Sequence, residues 1–260
     1  MRILFVTADL FIGEPVGVLQ LSAILKSQGH ETNLVALRTH KLWQSLVTYA
    51  PDVVAYSVMS SEADYFSQAD LVVMQYARKT GRRVGRIMGG AHPTFFPEVV
   101  NELGLDAVCV GEGDNALPEF LRRFSAGQSL QGIRNILLPG AALAQMPREL
   151  ISELDGLPFL DKSIYYEAMP FYRTLAMRAI LTSRGCPYHC TYCFNHAYAD
   201  MFRGSGPIVR RRSVDNVLAE IRAIIRTYPP VRFIKFNDDT FAHRVDDWLL
   251  DFCERYKKEI

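Results

Sequence analysis

Arg2-Ile3-Leu4-Phe5-Val6-Thr7-Ala8 is a near-continuous apolar run, followed by an irregular loop holding Gly13, Pro15 and Gly17. Residues 18–28 form an amphipathic stretch that stops at Gly29. An unalternating strand, a loop and a glycine-closed helix are the parts of a parallel sheet buried on both faces. The unit recurs. Residues 31–37 read as a second strand, Asp52-Val53-Val54-Ala55-Tyr56-Ser57 as a third after a short helix, 83–88 as a fourth and 106–110 as a fifth. Helices over 62–79 and 115–124 end at Gly81 and Gly127.

Five such units predict a flavodoxin-like, doubly wound α/β domain over residues 1–127 with strand order 2-1-3-4-5. Ligands of such sheets bind outside the carboxyl ends of the strands. The candidate loops are residues 8–17, 58–64, 89–94 and 111–114, and two of them are glycine-rich: Gly89-Gly90-Ala91-His92-Pro93-Thr94 and Gly111-Glu112-Gly113-Asp114. Paired glycines let a ligand approach the backbone, but strand ends also need glycine simply to turn. Neither a G-x-G-x-x-G nor a phosphate-binding G-x4-G-K-[ST] pattern is present. His92 has two readings, a metal ligand or a loop histidine bonded to backbone.

The chain has 260 residues, 49% hydrophobic content and a formal net charge of +1. The charge balance gives no sign of a nucleic-acid partner. No apolar stretch approaches the ~20 residues of a membrane span, and the first strand is too short for a secretory signal, so a cytoplasmic protein is expected. Residues 128–177 carry Pro139, Gly140, Pro147, Gly156, Pro158 and Pro170 without sustained periodicity and read as a connector.

The second region, 178–260, begins with a short apolar strand, residues 178–182, that leads into Ser183-Arg184-Gly185-Cys186-Pro187-Tyr188-His189-Cys190-Thr191-Tyr192-Cys193. Three of the five cysteines crowd into this C-x3-C-x2-C run, which argues against a disulfide framework and for a metal in a reducing compartment. A structural zinc needs a fourth ligand, for which His189 and His196 are the nearest residues. A 4Fe–4S cluster on three cysteines leaves one iron open. Cys109 and Cys253 read as residues of a strand and a helix. Arg210-Arg211-Arg212 read as a solvated strip or an anion contact. Ser213 is a candidate N-cap for a helix over 214–228 that buries Val217, Leu218, Ile221, Ile224 and Ile225. A strand over 232–236 ends in Phe236-Asn237-Asp238-Asp239-Thr240-Phe241, before a last helix over 245–257.

A C-x3-C-x2-C run with an aromatic residue before the last cysteine resembles the signature loop of the radical S-adenosylmethionine (SAM) superfamily. The resemblance implies that Cys186, Cys190 and Cys193 hold a 4Fe–4S cluster, that SAM chelates the open iron, and that Tyr192 lies near the adenine. The F-x-D-D-x-F stretch is similar to that family's second-strand motif, which implies that Asp238 and Asp239 lie near the SAM amino group. A flavodoxin-like domain with Gly-Gly-Ala-His-Pro-Thr and Gly-Glu-Gly-Asp ahead of this loop resembles the cobalamin-binding branch. That implies cobalamin contacts from Ser57, Gly89, Gly90, His92, Gly111, Glu112 and Gly113. Many cobalamin domains carry D-x-H-x-x-G after the first strand. Here Asp9-Leu10-Phe11-Ile12-Gly13-Glu14 places Phe11 where the histidine would be, so no histidine ligand to cobalt is expected from this loop.

The activity so implied is cobalamin-dependent methyl transfer to an unactivated carbon or phosphorus centre of a small-molecule or natural-product substrate, with flavodoxin or ferredoxin as reductant. A cobalamin-linked cyclase or ring-rearranging enzyme is the alternative within the class. Outside it stands an iron–sulfur redox sensor or binding module, which requires a fourth ligand from Cys109, Cys253, His189 or His196. Region 178–260 has too few strand–helix units for the half-barrel of that family, so it is expected to be the first portion of a radical SAM domain, in a longer chain or in a truncated relative.

Overall fold

The apolar runs of the first half become the strands of a six-stranded sheet of order β2-β1-β3-β4-β5-β6. The computed structural model describes residues 1–8, 13–37 and 40–260. Its first elements are β1 (Arg2–Thr7), α1 (Val16–Ser27), β2 (Glu31–Ala36), α2 (Leu42–Tyr49), β3 (Val53–Ser57) and α3 (Ala63–Thr80). There follow β4 (Gly85–Gly89), the short helices α4 (Ala91–Phe95) and α5 (Val99–Glu102), β5 (Ala107–Cys109), α6 (Ala116–Ser125) and β6 (Ile136–Leu137). Strands β1 to β5 pair in parallel in the expected order. Ile3, Leu4, Phe5 and Val6 are fully buried, as strands covered on both faces require. Helix α6 buries Leu117, Phe120, Leu121 and Phe124, a single face at helical spacing. Arg86 on β4 pairs with the buried Asp70 of α3, which also accepts from the Tyr56 hydroxyl at 2.8 Å, and so fastens that helix to the sheet.

The chain forms two compact units, Met1–Arg148 with Asp161–Ala168, and Glu149–Leu160 with Met169–Ile260. Residues 128–177 are therefore shared between them and hold more structure than the proline and glycine spacing suggests. β6 adds an antiparallel edge to the first sheet, with Cys109 opposite Ile136. Helix α7 (Lys162–Ala168) packs into the first unit. There Lys162, fully buried, pairs with Glu14 at 2.5 Å, and the Tyr166 hydroxyl donates to the same carboxylate at 2.7 Å.

The second unit contains α8 (Pro170–Thr174), β7 (Met177–Ile180), β8 (Ser183–Arg184), α9 (Phe194–Met201), β9 (Arg210–Arg211), α10 (Val214–Thr227), β10 (Phe233–Phe236) and α11 (Asp247–Glu259). β7 and β10 pair in parallel through the crossover helix α10, with Ile180 opposite Phe236. The core is Ile180, Val214, Val217, Leu218, Ile221, Ile224 and Phe252. Ser213 caps α10 by accepting from the Asn216 amide at 3.1 Å. Ile225, expected on the buried face, is exposed instead. Arg178 on β7 is fully buried and donates to the carbonyls of Arg173, Leu175, Met177 and Tyr228, gathering the chain ends of α8 and α10 around one guanidinium. No helix of the described residues is long and apolar enough to cross a membrane.

Candidate functional site

In the first unit, the parallel register places Thr7, Ser57 and Gly89 side by side at the carboxyl edge of β1, β3 and β4. The loops beyond this edge are stitched to one another. The Val58 amide donates to the Gly89 carbonyl and the His92 amide to the Val58 carbonyl, both at 2.9 Å. Thr94, buried in α4, donates its hydroxyl to the Gly90 carbonyl at 2.8 Å and accepts from the Gly111 amide at 3.0 Å, joining the two glycine loops. Asn135 donates to the Glu112 carbonyl at 2.9 Å. Ser57, Gly89, Gly90, His92, Gly111, Glu112 and Gly113 thus come together at one end of the sheet. His92 is half-buried, its ring stacked on Phe96 and its Nδ1 3.4 Å from the Ser60 hydroxyl. Burial, reinforced by Asp114 and Glu112, pushes the Cys109 thiol up to about 12, so it stays a neutral core residue that donates to the Glu112 carbonyl. Asp9, Leu10, Phe11 and Ile12, on which the expectation about the cobalt ligand rests, lie outside the described residues.

The two adjacent glycines are not equivalent. Gly90 has φ +99, and a Cβ there would lie 2.7 Å from the Val58 carbonyl oxygen, so the chain itself demands glycine. A Cβ on Gly89 would meet only Cys109, at an ordinary 3.7 Å. Among the described residues, nothing requires glycine at 89.

In the second unit the cysteine loop leaves the β8 segment just beyond β7. Gly185, at φ +84, lets it pass so close to β9's approach that a Cβ would lie 2.1 Å from the Ile208 carbonyl oxygen. Cys193 is the N-cap residue of α9, its amide donating to the Cys190 carbonyl at 3.0 Å; His196 holds the same carbonyl through Nδ1 at 3.1 Å. Cys186, Cys190 and Cys193 are free thiols, half-buried or exposed. Among the described residues, no three Cys, His, Asp or Glu side chains are gathered as a metal-holding group. Tyr192 is 92% exposed, far from the core role an aromatic usually takes. Asp238 accepts from the Thr182 amide and hydroxyl at 3.0 and 2.7 Å and from the Ser183 hydroxyl at 2.5 Å. Asp239, one residue on, is exposed. The three arginines are not a solvated strip: Arg210 is buried, Arg211 pairs with Asp246 and lies over Trp248, and Arg212 pairs with the buried Glu220.

Residues 3–121 match a family model described as the B12 binding domain. The chain is 28% identical over 244 residues to an uncharacterised methyltransferase of Pyrococcus horikoshii, covering 88% of this chain and 50% of the relative. It is 23% identical over 292 residues to the cytidylyl-2-hydroxyethylphosphonate methyltransferase of Streptomyces wedmorensis, covering 89% and 52%. Its fold matches that of OxsB, a cobalamin-dependent S-adenosylmethionine radical enzyme solved with aqua-cobalamin and SAM bound, with a TM-score of 0.79 at 19% identity, over 99% of this chain and 37% of that one. Residues 3–121 are thus similar to B12 binding domains, and most of the chain is similar to methyltransferases. The chain spans about half the length of the curated relatives it matches. The fold is the one expected, a flavodoxin-like sheet followed by the first parallel strands of a partial barrel.

The residues of the two units have the chemistry of the cofactors that the sequence resemblance implies. In the first unit the Thr7 hydroxyl, at the carboxyl end of β1, is buried without a hydrogen-bond partner among the described residues, and at Gly89, two strands along the same edge, a Cβ would meet only Cys109 among them. An orphaned buried hydroxyl is costly unless a ligand satisfies it. In the second unit three free thiols from one loop are the soft donor set of an iron–sulfur cluster. Thr7 and Thr94 escaped the sequence reading, because a threonine at a strand end or in a short helix carries no distinguishing pattern.

Proposed function

We propose that this chain is the cobalamin-binding and SAM-binding part of a methyltransferase acting on an unactivated carbon or phosphorus centre of a small molecule. Residues 1–127 hold cobalamin and 178–260 begin the radical SAM domain, with 128–177 between them. The observation that carries the reading is the order of parts along one chain: a B12 binding domain, then a C-x3-C-x2-C loop that leaves the end of a parallel strand and is pinned by Asp238 from the next. When bound, the reduced cluster supplies the electron that cleaves SAM, and cobalamin supplies a metal able to carry a methyl group.

The residues divide the remaining work. Cys186, Cys190 and Cys193 hold the cluster. Tyr192, already turned to solvent, offers a flat face to the adenine. Asp238 spends its carboxylate on Thr182 and Ser183 and so fixes the loop's origin, while the exposed Asp239 is the carboxylate left for the SAM ammonium. Ser57, Gly89, Gly90, His92, Gly111, Glu112 and Gly113 line the cobalamin end of the first sheet. The first unit thereby orients the corrin, and the second orients SAM against the cluster. A flavodoxin or ferredoxin in the cytoplasm is the reductant.

The test is electron paramagnetic resonance of the anaerobically reconstituted, dithionite-reduced chain, with and without SAM. A reduced-cluster signal whose g-values move on adding SAM is the expected result. An unmoved signal in a fully loaded protein means a cluster with a complete protein shell and turns the reading to a redox sensor. Product mass with deuterated SAM then separates methyl transfer from cyclisation: a product with no labelled methyl excludes transfer.

A further inference from the structure

The loop after β10 is hydrogen-bonded to the cysteine loop and to the strand exit before it. At its base, Asp238 binds the backbone and hydroxyl of Thr182 and the hydroxyl of Ser183. At its far end, the Thr240 hydroxyl lies 3.2 Å from the Cys186 sulfur. Residues 238 and 240 thus grip the strand exit and the first thiol, leaving Asp239 between them exposed. Sequence reading singled out the two aspartates of this stretch and passed over the threonine.

Thr240 has one proton to give. While Cys186 carries its own S–H, the threonine hydroxyl donates to the Asp239 carbonyl at 2.8 Å and its oxygen is free to accept from the thiol. A sulfur that ligates iron carries no proton, so across the 3.2 Å contact only the hydroxyl can donate, and a bond to a negatively charged acceptor is the stronger of its two choices. A donor on a ligating sulfur stabilises the added negative charge of a reduced cluster, so it raises the reduction potential.

We propose that Thr240 donates a hydrogen bond to the Cys186 sulfur when that sulfur serves as a cluster ligand, and that this bond sets the cluster's reduction potential. Thr240 is a positioning residue; it acts through Cys186. The inference rests on the iron–sulfur reading above, and the experiment keeps the two separable. Wild-type chain, Thr240→Val and Thr240→Ser are reconstituted anaerobically, assayed for iron and sulfide, and titrated electrochemically while the reduced signal is followed. Valine keeps the shape and removes the donor; serine keeps the donor. The expected result is full cluster loading in all three, a lower midpoint potential with altered g-values in Thr240→Val, and wild-type behaviour in Thr240→Ser. Thr240→Val failing to load iron while Thr240→Ser loads fully also supports a role for the hydroxyl. A fully loaded Thr240→Val with the wild-type potential and g-values overturns the inference alone. So does failure of both variants to load, which would assign the position to shape. A wild-type chain that takes up no cluster removes the iron–sulfur reading and the inference with it.

Discussion

Gly89 and Gly90 are neighbours in sequence and opposites in cause. Gly90 is held at positive φ against the backbone of Val58, so a side chain there displaces main chain, which cannot yield cheaply. Gly89 has room for a methyl group beside Cys109 and sits at the edge where Thr7 keeps an orphaned hydroxyl. Gly90→Ala is therefore expected to lower the melting temperature by several degrees. Gly89→Ala is expected to melt with the wild type but to bind hydroxocobalamin at least tenfold more weakly, read from the visible spectrum on titration. Unchanged affinity in Gly89→Ala would show that no ligand approaches that backbone. The sequence marks both glycines equally, since a one-letter pattern cannot tell a turn's requirement from a ligand's. It marks Asp238 and Asp239 equally too, yet one is committed to Thr182 and Ser183 and the other is exposed. In each pair what separates the residues is a contact from a different strand or loop, and periodicity carries no trace of it.

Elements with long, regular patterns were legible: β1 to β5, α3, α6 and α10 stand where apolar periodicity and glycine stops put them, to within a few residues. Helix α7 was not. It is short, and it is tied to the first unit by the pair between Lys162 and Glu14, 148 positions away in the chain, which no local pattern announces. A fully buried lysine beside a carboxylate that is itself almost buried is a pair whose rupture leaves an uncompensated charge. Lys162→Met removes the cation from beside the Glu14 carboxylate and is expected to cost about 3–5 kcal/mol. The midpoint of urea denaturation measures it. Adding Glu14→Gln to Lys162→Met should recover part of the loss, because the neutral amide no longer needs a cation. If the double variant is as unstable as the sum of the singles, the pair is not coupled and α7 is held by packing alone. Glu14 closes the loop after β1, so the same substitution bears on the sheet end where Thr7 and Ser57 stand.

At the scale of the whole molecule, the two units differ in how their sheets are covered. The first has six strands with a fully buried centre, whereas the second has β7 and β10 as a lone parallel pair on which Met177 and Phe233 are 50% and 67% exposed. Two-stranded sheets are marginal unless helices complete them, and here α10 and α11 supply most of the core. Calorimetry of the full chain is accordingly expected to give two transitions, the second unit melting at the lower temperature. Each cofactor should move one of them. A ligand that binds only the native state at a hundred times its dissociation constant adds about 2.7 kcal/mol. Hydroxocobalamin should therefore raise the upper transition by several degrees and leave the lower in place. Reconstituted cluster with SAM should raise the lower transition, because Cys186, Cys190, Cys193 and Asp239 all lie in the second unit. Hydroxocobalamin that raises only the lower transition would put the corrin in the wrong unit. One common transition, raised by either cofactor, would show that the units do not unfold separately and that neither shift assigns a cofactor to a fold.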